Sequence, residues 1–171
     1  MKKTIIIGIG FLLSLPLFLT AQDAASCQEL LERGNSYYQH REIDSAIFFY
    51  NLAVENHPEC EDAWFRRALA KEKMHDIDGA IEDYYVAISI TPKPIYYNNI
   101  GIDLAVKGEY ENAIEIYDKA LEMDSLYTQA IFNKGIAFHY LGRWNEACEL
   151  AGKAREMGLE IAGQYISDFC E

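Results

Sequence analysis

Three columns of small residues recur at one period, and this constrains the fold more than any other feature of the chain. Ala46, Ala80, Ala113 and Ala147 are spaced 34, 33 and 34 residues apart. Ala53, Ala87, Ala120 and Ala154 keep the same spacing, as do Gly34, Ala68, Gly101 and Gly135. Self-similarity at such a period marks a stacked array, in which no unit can bury its apolar face alone and neighbours bury it for one another.

Each unit reads as two helices. The first helices are predicted over 27–39, 61–73, 94–106 and 128–140, and the second over 44–56, 78–90, 111–123 and 145–157. Asp44, Asp78 and Asn145 suit the N-cap of the second helices, where a side-chain oxygen takes a free backbone N–H. Glu111 in that column is a poorer cap that still suits the helix dipole. Two antiparallel helices joined by a short turn cross closely, so a small residue is expected at each crossing. Tyr50, Tyr84 and Tyr117 follow the first alanine column by four residues. Pro58 and Pro92 stop the second helices of the first two units.

These residues resemble the tetratricopeptide repeat, a 34-residue helix–turn–helix. Its pattern is matched by Leu30, Gly34, Tyr37, Ala46, Tyr50, Ala53 and Pro58, and by Trp64, Ala68, Ala80, Tyr84, Ala87 and Pro92, with Lys71 departing at one aromatic site. Tyr97, Gly101, Leu104, Ala113, Tyr117 and Ala120 match in the third unit, where Ser125 replaces Pro. Ile131, Gly135, Phe138, Ala147 and Ala154 match in the fourth, which departs at Ala151 and Leu159. The resemblance implies an all-α, right-handed α-solenoid of four such repeats (27–60, 61–93, 94–127 and 128–161). A C-terminal capping helix over 162–171 follows, with Ile161, Tyr165, Ile166 and Phe169 on its apolar side and Gln164 and Asp168 toward water.

The resemblance also implies a concave groove lined by the first helices. Its inward positions fall on Gln28, Leu31, Asn35 and Tyr38 in the first unit and on Asp62, Phe65, Leu69, Glu72 and Lys73 in the second. In the third they fall on Ile95, Asn98, Ile102 and Val106, and in the fourth on Gln129, Phe132, Ile136, His139 and Tyr140. This lining is mostly apolar and aromatic, with amides between, and an apolar patch of that kind marks an interaction site. Leu31 stands where a carboxylate-clamping Lys would be expected. The implied ligand is therefore an extended apolar segment or an amphipathic helix of another protein. Coverage of the stripe by the chain's own N-terminal segment or by a second copy is the alternative, and the oligomeric state is left open.

The N-terminus is a separate object. Lys2 and Lys3 precede an apolar run from Ile5 to Leu19, and small residues lead out of it at Ala21, the layout of a secretory signal peptide over 1–21. The run is shorter than a spanning helix and carries Pro16. A short segment, 22–26, would then precede the first repeat. Cleavage after Ala21 removes two lysines and no acid, which takes the net charge from −12 to −14. The reading is an exported protein, periplasmic, envelope-bound or secreted. The acid excess opposes nucleic-acid binding, which needs clustered Lys and Arg.

All four cysteines lie beyond that cleavage point, an even count that fits disulfides in an exported chain. Running the closing helix antiparallel to the last second helix brings Cys170 near Cys148. A buried free thiol is the alternative for Cys148. Cys27 and Cys60 begin first helices one repeat apart. Neighbouring helices lie ~8–10 Å apart and a disulfide needs Cα atoms within ~7 Å, so that pair is left open.

No catalytic constellation emerges. His57 and Cys60 form one candidate ligand pair, without the second pair a zinc site needs. No HExxH, GxSxG or phosphate-binding glycine loop is present. Glu111/Glu115 and Glu82/Asp83 are expected on solvated outer faces. The sequence thus points to no enzyme, no cofactor and no metal.

Overall fold

The computed structural model describes residues 25–170; the expected signal peptide and most of the segment after it lie outside the described residues. Nine α-helices and no strands make up the described residues. They are α1 (Cys27–Gln39), α2 (Ile43–Asn56), α3 (Glu61–Lys73), α4 (Ile77–Ile90), α5 (Pro94–Val106), α6 (Tyr110–Met123), α7 (Thr128–Tyr140), α8 (Trp144–Glu156) and α9 (Glu160–Phe169). Consecutive odd and even helices form antiparallel pairs, the pairs stack in chain order, and α9 closes the stack on α8. The architecture is the all-α solenoid with a closing helix.

The four first helices have the bounds expected from the repeat. The second helices start one residue early, and their N-caps are Glu42, Asp76, Glu109 and Arg143 rather than Asp44, Asp78, Glu111 and Asn145. The reason is a turn tighter than the spacing suggested. One residue after each first helix takes positive φ: Arg41 (63°), His75 (61°), Gly108 (81°) and Gly142 (73°). That left-handed residue reverses the chain and the next helix restarts at once, leaving the expected caps inside the first turn. Only Asp76 caps with its side chain, accepting from the Gly79 N–H at 3.1 Å.

The small columns are occupied for a reason the sequence reading only half caught. A Cβ on Gly34 would come within 2.4 Å of Tyr50 Cε1, and one on Gly101 within 2.4 Å of Tyr117 Cε1. In these two units the small residue makes room for an aromatic ring lying across it, and both rings are fully buried. The fourth unit has Ala151 instead of the aromatic. There a Cβ on Gly135 would meet Leu150 Cβ at 3.2 Å and the Ala147 carbonyl at 3.3 Å, so the helices themselves approach.

Both candidate disulfides are present. Cys148 and Cys170 join α8 to the end of α9, with Cα atoms 5.8 Å apart. Cys27 and Cys60 join the N-terminal ends of α1 and α3, with Cα atoms 6.7 Å apart. Cys60 is the N-cap of α3, outside its regular turns, which lets it lean toward α1 more closely than helix bodies pack.

One outward and one inward assignment are corrected. Asp83 is buried at 3% exposure, because it receives two hydrogen bonds from the Arg67 guanidinium (2.8 and 2.7 Å) and pairs with Lys71 Nζ at 2.9 Å. Ile161 is exposed, and the buried side of α9 is Ala162 and Tyr165. The closing helix begins at Glu160, which places Ile161 a step off the stripe facing α8.

Candidate functional site

The first helices divide the predicted groove residues into two groups. Leu31, Asn98 and Phe132 are buried. Leu31 belongs to the core shared by α1, α2 and α3, and Phe132 meets the Tyr165 ring edge-on at 5.9 Å. Asn35, Tyr38, Phe65 and Leu69 are partly buried. Asn35 accepts a 2.8 Å bond from the Tyr50 hydroxyl, and Phe65 sits between Tyr84 (6.0 Å) and Tyr96 (5.1 Å). Gln129, Ile102 and Tyr140 are exposed, and Ile136 is partly so.

The structure brings Ile102, Ile136 and Tyr140 together, with Val106 between them. They line one open cleft of about 460 Å³ with Ala105, Tyr110, Tyr117 and Asn133. The Tyr110 and Tyr140 rings stack, 4.9 Å apart and 5° from parallel, and form one wall. Val106 is 68% exposed and Tyr140 63%, values with no packing purpose. Leu31, Asn35, Tyr38, Phe65, Leu69, Asn98, Gln129 and Phe132 do not line this cleft. Tyr110, Tyr117 and Asn133 were missed at the sequence level. Tyr110 is the first residue of α6 and leans back over the groove, so reading only the first helices passes over it.

Beyond Tyr140 the surface continues into a recess of about 160 Å³ lined by Ile136, His139, Tyr140, Tyr165 and Phe169. The His139 ring lies 4.4 Å from Trp144 and 4.9 Å from Phe169, and its Nδ1 is 2.7 Å from the Tyr165 hydroxyl. Toward the N-terminus the groove turns polar. Tyr84 donates to the Glu72 carboxylate and accepts from Asn99 Nδ2 at 3.1 Å. Asn133 Nδ2 donates to Asn98 Oδ1 at 3.0 Å. Burial raises the Glu72 carboxyl above its ordinary range and also raises the Tyr84 hydroxyl, with the Glu72 bond and charge adding to the latter. No cluster of three or more His, Cys, Asp or Glu able to hold a metal occurs among the described residues. The geometry therefore offers contact and hydrogen bonding, with an apolar end and a polar end.

Comparison with known proteins agrees with the fold. The tetratricopeptide repeat family model matches residues 31–93 and 98–157. The chain belongs to the tetratricopeptide repeat family. The small glutamine-rich tetratricopeptide repeat-containing protein 2 of Mycosarcoma maydis is 31% identical over 117 residues, which cover 68% of this chain and 33% of that relative. The chain thus spans about a third of that relative's length. Among solved structures, MamA superposes with a TM-score of 0.74 at 23% identity, covering 82% of this chain and 83% of that one. YrrB, described as a tetratricopeptide repeat protein with an unusual peptide-binding site, gives 0.66 at 17% identity, covering 78% and 69%. PilW, described as a widely conserved type IV pilus biogenesis factor, gives 0.68 at 25% identity, covering 75% and 60%.

Proposed function

We propose that this tetratricopeptide repeat protein is a non-catalytic protein-interaction module, a scaffold or accessory subunit of a bacterial cell envelope. The observation that carries the reading is the open cleft of Ile102, Val106, Tyr110, Ile136 and Tyr140, apolar surface the fold itself does not need. Its partner is an apolar peptide or amphipathic helix of another protein. Apolar side chains would enter the cleft, while the exposed amide of Gln129 is left for the partner's backbone. Family membership and the peptide-binding description of YrrB support a protein ligand.

The envelope assignment rests on the signal-peptide layout of residues 1–21 and on two disulfides, which persist in oxidising compartments. The likeness to PilW is in keeping with it. No helix of the described residues is long and apolar enough to cross a membrane. On this reading the repeats span 27–60, 61–93, 94–127 and 128–161, with the cap over 162–171.

The test is a cross-linked pull-down from the native cell with wild type beside an Ile102→Asp/Tyr140→Ala variant, once both give the same helical circular dichroism and melting. Loss of the captured partner in the variant supports the groove. Equal capture by both moves the site to another face, and capture of only a second copy replaces the reading with self-association.

A further inference from the structure

The seam between the second and third helix pairs differs from the other seams in its chemistry. The tenth position of the second and fourth repeats is a buried alanine, Ala70 (0% exposed) and Ala137 (1%). In the third it is Asp103, a carboxylate 2% exposed whose Oδ2 has no hydrogen-bond partner. The electrostatic neighbours of Asp103 are not cations. From α3 it faces Glu72, itself partly buried and bonded to Tyr84, from α4 it faces Tyr84, and from α6 it faces Tyr117. On α7, Asn133 donates to Asn98 of α5.

Three cations of the second and third repeats are engaged elsewhere. Lys71 and Arg67 hold Asp83, and Lys107, one turn along α5, holds Asp78 and Glu109. The charge of Lys73 acts on Glu72. The packing differs as well. Adjacent first helices touch closely at α1–α3 and at α5–α7 but not at α3–α5, and α4 packs on α5 less extensively than α2 on α3 or α6 on α7. The hydrogen-bond chain Glu72–Tyr84–Asn99 spans this loosest seam.

We propose that Glu72 and Asp103 form a proton-controlled joint: with a proton on Asp103 the second and third repeats stay packed, and without it the unpartnered Asp103 charge beside Glu72 loosens the seam and changes the curvature of the groove. An ionised carboxylate buried without a partner is strongly disfavoured, so the folded chain holds the proton or opens the seam to water. Burial, and then the charge of Glu72, push the Asp103 carboxyl up to about 7. A carboxyl that binds its proton more tightly in the folded state adds stability below its unfolded value of 3.8, and this is lost as pH rises toward 7. The device is independent of the partner proposed above.

The test compares the disulfide-intact full chain with Asp103→Asn, which keeps the shape, and Asp103→Ala, which copies the neighbouring repeats. Denaturant unfolding and small-angle scattering are run at pH 5 and pH 8. Between these values the folding constant of wild type should fall by about ten- to a hundredfold more than that of either variant. Its radius of gyration should grow while theirs stays fixed. Parallel pH dependence in all three proteins overturns the proposal, as does an unchanged wild-type radius. If neither variant folds, the Asp103 carboxyl is titrated in wild type by carbon-13 NMR. A midpoint near 7 with concerted shifts along α3 sustains the joint, and a midpoint in the ordinary carboxylate range refutes it.

Discussion

The two halves of the concave face are built from the same repeat and end in opposite chemistry. In the N-terminal half, polar groups satisfy one another: Tyr50 with Asn35, Arg66 with Asp62, and Tyr84 with Glu72 and Asn99. Phe65 is enclosed between two tyrosines, and the opening at the turn end is lined by Tyr38, Gln39, Arg41, Ile43 and Lys73. In the C-terminal half, Ile102, Val106, Tyr140 and Trp144 are 40%, 68%, 63% and 49% exposed. A group already hydrogen-bonded gains little from a ligand, whereas an exposed Ile or Tyr gains roughly 25 cal/mol for each Å² of apolar surface covered. The repeat scaffold fixes where side chains point, and the side chains decide which half has binding energy left to give.

The largest expected effects test how each half is held. Asp83→Ala leaves the partly buried Arg67 and Lys71 without their carboxylate behind the N-terminal half and should cost about 3 kcal/mol in denaturant unfolding. Asp118→Ala, which removes the half-exposed partner of Lys134 in the C-terminal half, should cost less than ~1 kcal/mol. Equal losses would break the comparison.

The next effect is at the cap. Replacing Cys148 and Cys170 together by alanine opens a loop of sequence separation 22 and should lower stability by about 3 kcal/mol. Amide exchange should rise first in α9, beside the aromatic recess, and leave α1 protected.

Smaller effects separate the two uses of the small column. Gly101→Ala drives a methyl into the Tyr117 ring and should cost about 1–3 kcal/mol. Gly135→Ala, with its nearest neighbour at 3.2 Å, should cost less. At the turns, His75→Gly relieves a non-glycine residue at positive φ and should raise stability by up to ~1 kcal/mol. Gly108→Ala should lower it by a similar amount. Thermal melts of the four variants check both pairs.

The fold was legible because its determinants are local and repeated. The repeat period located every first helix to the residue, and the cysteine register placed Cys170 near Cys148 while leaving Cys27 and Cys60 open. The caps were misplaced because a left-handed residue such as Arg41 or His75 leaves no mark in a sequence, whereas Gly108 and Gly142 do. Asp83 read as surface because its partners Arg67 and Lys71 lie 16 and 12 residues away on another helix. The site was half legible. Ile102, Ile136 and Tyr140 are first-helix positions and were named. Tyr110 comes from the other helix, and the burial of Leu31, Asn98 and Phe132 depends on the neighbouring unit, which no single-repeat pattern contains.

The most direct measurement places a photo-crosslinking residue singly at positions 106 and 140 in the C-terminal half and at 35 and 69 in the N-terminal half. Each protein is irradiated in its native cells after its fold has been checked. The account predicts one discrete partner adduct from 106 and 140, with little or none from 35 and 69. Adducts confined to 35 and 69, or absent from all four positions, would contradict the claim that the apolar half of the groove is the binding surface.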